Sequence, residues 1–153
     1  MYAFLLLVAA LALLVFLALV ICGRLLVGNQ RKTLAVLRQN GLAFLCRPTL
    51  GMRSFAGYVL SIDRDAVSLW KVGLGEPVRK QTFPSHGARV APAVVKINVA
   101  RTSPGLSVIS ATAERVDVVI HPDPTMSYSA PANGALLDLV REKIQEHLAR
   151  TAR

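Results

Sequence analysis

Residues Met1 to Cys22 are drawn without exception from the apolar set, Gly23 follows, and the first charge is Arg24. At 1.5 Å rise per residue, a helix of that length reaches roughly 34 Å, enough to cross a hydrocarbon core of ~30 Å. A soluble domain buries one stripe of a helix and leaves the rest polar. A stretch apolar on every face has no such partner at a chain terminus. Residues 1–23 are therefore expected to be a transmembrane helix. A cleaved signal peptide would open on a basic segment and carry a shorter apolar run. Here no Lys or Arg precedes the run.

Charge gives the direction. Arg24, Arg31, Lys32, Arg38, Arg47 and Arg53 follow the span, and the first acid is Asp63. Basic residues next to a span stay on the cytoplasmic side. The expected topology is single-pass in the cell (inner) membrane, N-terminus outside, C-terminal domain cytoplasmic. Leu19-Val20-Ile21-Cys22-Gly23 resembles a lipobox, with Cys22 as the residue to be acylated. That resemblance implies an extracytoplasmic lipoprotein, although the pattern wants a small residue where Ile21 stands. Cys46 alone in the remainder fits a reducing compartment, and no disulfide is expected.

Residues 24–40 form a basic juxtamembrane segment. Arg24, Arg31 and Arg38 recur every seven residues, so a helix continuing to Arg38 places them on nearly one face. With Lys32 they are the candidate lipid-binding residues, each contributing about 1 kcal/mol near an anionic surface. The plainer reading is that these charges set topology. Asn40-Gly41 ends such a helix if Gly41 takes φ > 0. Alternatively Asn40-Gly41 is a two-residue hairpin turn joining Thr33–Leu37 to Leu42–Cys46. The sequence leaves both open.

The chain as a whole is 53% apolar, but with the first 22 residues set aside the remainder falls to about 45%, an ordinary globular value. Residues 41–153 then read as one β-rich cytosolic domain. Runs of near-alternating pattern lie at Phe55–Ile62, Ala66–Val72, Val78–Phe83, Ala93–Val99, Leu106–Ser110, Val116–Ile120 and Thr125–Ser129. Turn residues separate them: Asp63-Arg64-Asp65, Gly73-Leu74-Gly75-Glu76-Pro77, Pro84-Ser85-His86-Gly87, Arg101 to Gly105, and Ala113-Glu114-Arg115. That is about seven antiparallel strands.

The end of the chain changes period. Asn133 can cap a helix over 134–149, and Leu136, Leu137, Val140, Ile144 and Leu148 make an apolar stripe at helical spacing. This helix is expected to close an otherwise open sheet. The fold class expected is a transmembrane helix plus a mainly-β (α+β) barrel or sandwich with a C-terminal amphipathic helix. The run Gly57-Tyr58-Val59-Leu60-Ser61-Ile62 through Leu69-Trp70-Lys71, with this element order, resembles the pleckstrin-homology-like (PH-like) domain over roughly residues 45–149. Small single-pass bacterial membrane proteins carry such domains inside the cell. The resemblance implies binding to headgroups, peptides or protein surfaces, and no catalysis.

The residues themselves nominate no reaction. His86, His121 and His147 are far apart in sequence, with no Cys or carboxylate pair at ligand spacing, so no metal is expected. Ser85-His86 is adjacent in sequence, which does not build a nucleophile and base. Gly73-Leu74-Gly75 lacks the third glycine of a dinucleotide loop, and Asp63 with Asp65 reads as a turn. No cofactor is expected. The net charge of +9 raises nucleic acid as a partner, but the cations are spread and few aromatics interleave with them. An anionic phospholipid surface is the closer match. Asp138, Glu142 and Glu146 line one face of the closing helix and are candidate partner-binding residues. The function expected is a non-enzymatic, membrane-anchored accessory subunit that presents its PH-like domain to an integral membrane protein complex. The alternative is a sensor of anionic lipid headgroups.

Overall fold

A computed structural model describes residues 2–49, 57–122 and 131–151. Arg53 and the strand expected at Thr125–Ser129 lie outside these residues. The architecture is one long apolar helix, seven antiparallel strands in a single curled sheet, and a C-terminal helix.

Helix α1 runs from Tyr2 to Arg38 without interruption. Its 37 residues give a rod of roughly 55 Å. The part from Phe4 is long and apolar enough to cross a membrane, and none of its most apolar stretch is buried by the rest of the chain. The segment 24–38 is thus the same helix, not a separate element. Gln39 and Asn40 close the last turn, their N–H groups donating to the carbonyls of Val36 and Leu37 at 3.2 and 3.3 Å. Strand β1 then starts at once and spans Gly41–Pro48. The reading of a helix continuing to Arg38 is met, and the hairpin reading is not, because β1 pairs with β2 and β7 rather than with residues 33–37. Thr33–Leu37 is helix, and Leu42–Cys46 is strand. Gly41 does not adopt positive φ, which among the described glycines is confined to Gly87 and Gly134. Its lack of a side chain serves a close approach instead, since a β-carbon there would overlap the Ile62 carbonyl of the next strand.

The remaining strands are β2 (Gly57–Asp63), β3 (Ala66–Val72), β4 (Val78–Pro84), β5 (Arg89–Asn98), β6 (Arg101–Ile109) and β7 (Arg115–His121). They lie in the order β4-β3-β2-β1-β7-β6-β5, every pairing antiparallel. Helix α2, Gly134–Thr151, follows. The sheet rolls into a half-barrel whose edges, β4 and β5, do not pair with each other. Tyr58, Leu60 and Ile62 of β2, Val67 and Leu69 of β3, Leu106 and Val108 of β6, and Val116, Val118 and Ile120 of β7 fill its concave side. From α2, Val140, Ile144 and Leu148 complete this core. Leu136, the other end of the expected stripe, stays exposed. Burying three such aliphatic side chains is worth about 1.5–3 kcal/mol each. This is why a sheet open along one side is stable in this chain.

The turn expected over Arg101 to Gly105 is strand. The chain reverses instead at Val99-Ala100, where Asn98 Oδ1 accepts the Ala100 N–H at 3.0 Å. Pro104 is tolerated because β7 pairs with β6 only from Leu106 onward, leaving Pro104 beside an open edge where no donor is required. Gly105 is required there because a β-carbon would strike the Val118 carbonyl and the Val95 side chain.

Candidate functional site: the groove between the long helix and the sheet

Strand β2 is buried along almost its whole length, on both faces. The inner face meets the barrel core. The outer face is covered by the last three turns of α1. Leu34 there packs with Ala43, Leu45, Val59 and Val72 in a second cluster, joined by the half-buried Leu37 and Trp70. The chain therefore has two cores on opposite sides of one sheet, and the second exists only because the helix runs on past its apolar stretch.

Two polar contacts fix the docking. Asn29 Nδ2 donates to the carbonyls of Gly73 and Leu74, each at 3.0 Å, tying the β3–β4 loop to the helix. Arg38 Nε donates to the Ala43 carbonyl at 3.1 Å, holding the turn into β1. Since Asn29 meets the end of β3 and Arg38 meets the start of β1, the helix lies antiparallel to β1 over the sheet.

Beside this junction runs an open, mainly apolar groove of about 690 Å³. Asn29, Thr33, Val36 and Leu37 form its helix wall, and Trp70, Leu74 and Pro77 the opposite one. Val36, Leu74 and the neighbouring Val78 are each more than half exposed, at 58%, 58% and 51%. Trp70 is held by its indole N–H, which donates to Ser61 Oγ at 3.0 Å, and by the Arg79 guanidinium 4.8 Å above the ring centroid. Lys32 and Glu76 also line the groove without forming a salt bridge to each other. The arrangement offers an apolar trough with one cation and one anion at its rim.

The expected lipid-binding residues are placed differently from one another. Arg24, Arg31 and Lys32 are exposed on α1. Arg38 is engaged with the backbone at Ala43. Because the helix is unbroken, Arg31 and Arg38 lie about 10 and 21 Å beyond Arg24 along its axis. They do not share one layer if the axis crosses a bilayer. The acidic line on α2 is exposed, but Asp138 pairs with Arg141 at 3.1 Å and Glu146 pairs with Arg150, leaving Glu142 between them. Sequence reasoning missed the groove. Its one available signal was the single tryptophan.

Asp63, Ser85 and Cys46 have structural roles. Asp63 Oδ1 accepts the N–H groups of Asp65 and Ala66 at 2.9 and 2.7 Å, making the β2–β3 turn. Ser85 Oγ is buried and donates to the Arg64 carbonyl at 2.6 Å. Cys46 is fully buried, and desolvation pushes its thiol pKa far up against a smaller opposing effect of the Leu60 backbone hydrogen bond. Among the described residues no three His, Cys, Asp or Glu side chains cluster to hold a metal. No protein-family model, curated protein or solved structure matches the chain.

Proposed function

We propose that the protein is a non-enzymatic accessory subunit, anchored by α1, that holds its β domain at the inner face of the membrane and presents it to an integral membrane protein complex. The observation that carries this reading is the groove between α1 and the β3–β4 hairpin. It begins one and a half turns past Arg24 and runs along the helix that leads out of the apolar stretch. An occupant that follows that line out of the membrane is the helical extension of a partner's spanning segment, packed alongside α1. Val36, Trp70 and Pro77 supply its apolar contacts, and Lys32 and Glu76 select its charges. Orientation rests on the run of cations from Arg24 to Arg53 before the first acid at Asp63.

A photo-crosslinking amino acid at Val36, compared with one at Leu139 on α2, tests the reading in native membranes. The expected adduct forms from position 36 with one multi-pass membrane protein. That protein co-purifies at fixed stoichiometry in mild detergent, and Trp70→Ala reduces the adduct yield. No adduct from position 36, or one formed only with a second copy of this chain, would contradict it.

A further inference from the structure

The β3–β4 loop sits at a fixed height on α1. Asn29 is five residues beyond Arg24, about 7.5 Å along the axis. Helical side chains lean toward the helix N-terminus, here toward the apolar stretch. Asn29 therefore reaches back along the helix to grip the Gly73 and Leu74 carbonyls. The polar headgroup region adds about 5–8 Å beyond each side of the hydrocarbon. A loop held at this point on a spanning helix lies at the outer margin of that region. Its composition suits the place. Leu74 is 58% exposed between two glycines, Val78 is 51% exposed, and Arg79 and Lys80 follow on the edge strand. Glu76 stands two residues on, but Lys71, Arg79 and Lys80 on the adjoining strands outnumber it. An exposed leucine so surrounded gains from a boundary that is apolar below and anionic at its surface.

We infer that Leu74 and the start of β4 rest in the headgroup layer of the bilayer, giving the domain a second membrane contact besides α1. The occupant of this surface is lipid. The inference rests on the reading of α1 as a span. Two contacts, the span and the loop tip, fix the tilt of the domain and turn the open groove toward whatever stands beside α1. The end of the sheet that carries the β2–β3 turn lies at the other extreme, because Gly41, which follows the far end of α1, pairs with Asp63.

Full-length protein carrying Cys22→Ser is labelled with an environment-sensitive fluorophore at Leu74→Cys, at Arg64→Cys or at Leu14→Cys. Each is placed in nanodiscs of phosphatidylcholine and phosphatidylglycerol. Cys46 is buried and stays unlabelled. The expected result is blue-shifted emission at position 74, quenched by headgroup spin-labelled lipid. Position 64 is expected to be unaffected, and position 14 quenched by acyl-chain spin label. Quenching at 14 with position 74 as water-exposed as 64 overturns the loop contact alone. No quenching at 14 overturns the spanning reading, and the loop contact falls with it.

Discussion

Gln30 of α1 packs directly on Gly57 of β2, so closely that a β-carbon at Gly57 would overlap the Gln30 amide. Gln30 is 3% exposed, and its Oε1 meets no donor. A buried acceptor left unpaired costs about 1–3 kcal/mol. Gln30→Met removes the orphaned amide at nearly constant volume. It is expected to raise stability by about 1 kcal/mol, read by thermal or denaturant unfolding in detergent. Gly57→Ala is expected to lower stability, because the glutamine must move off the sheet. A loss of stability in Gln30→Met would show that the amide is satisfied in solution.

The two cores respond separately. Ile144 is fully buried beneath α2, and Ile144→Asp places a charge in the barrel core, where its desolvation cost exceeds the stability of an ordinary domain fragment. The expected outcome is aggregation or complete protease sensitivity. Leu34 is 4% exposed on the opposite side of the sheet. Leu34→Ala is expected to cost about 2–4 kcal/mol while the barrel remains folded, with faster hydrogen exchange confined to α1 residues 30–38 and the outer face of β1–β3.

The sheet was legible where alternation coincided with one-sided burial, as along β5, where Ala93, Val95 and Ile97 are covered and Val94, Lys96 and Asn98 are exposed. It was less legible where a strand is covered on both faces. Leu42–Cys46 has no polar phase because Leu42, Phe44 and Cys46 face the barrel while Ala43 and Leu45 face α1. Pro104-Gly105 carries the local signature of a turn, and its pairing with Val94 and Ala93 of β5 makes it strand. The extension of α1 to Arg38 was left open for a similar reason. Its docking face is Gln30, Thr33, Leu34 and Leu37, and half of that face is polar. The groove depends on Asn29 meeting Gly73 and Leu74, a contact across more than forty residues, which no local pattern announces.

Ala113 adopts φ = 67° at the β6–β7 turn. Only glycine enters this region without steric cost. The turn is forced by Ser110, whose Oγ accepts the N–H groups of Thr112 and Glu114 at 3.2 and 3.0 Å. Ala113→Gly is expected to stabilise the domain by about 0.5–1 kcal/mol. A decrease in the unfolding midpoint would mean that the turn relaxes in solution.

Burial raises the folded-state pKa of Cys46 above its unfolded value. The stability tied to the neutral thiol is therefore fully present below the unfolded pKa, about 8.5. It is lost as pH rises beyond that point, because only the unfolded chain releases the proton there. The unfolding midpoint should fall progressively above about pH 8.5, and Cys46→Ala should flatten that alkaline decline. In the native protein Cys46 should resist maleimide up to the same pH and react at once in denaturant.

The anchored topology is tested most directly by sided labelling. A cysteine at Leu139, exposed on α2, is introduced together with Cys22→Ser and treated with a membrane-impermeant maleimide. The expected result is a membrane-fraction protein that labels only after the cells are permeabilised. Labelling in intact cells, or recovery of the full-length chain in the soluble fraction without detergent, would contradict the account.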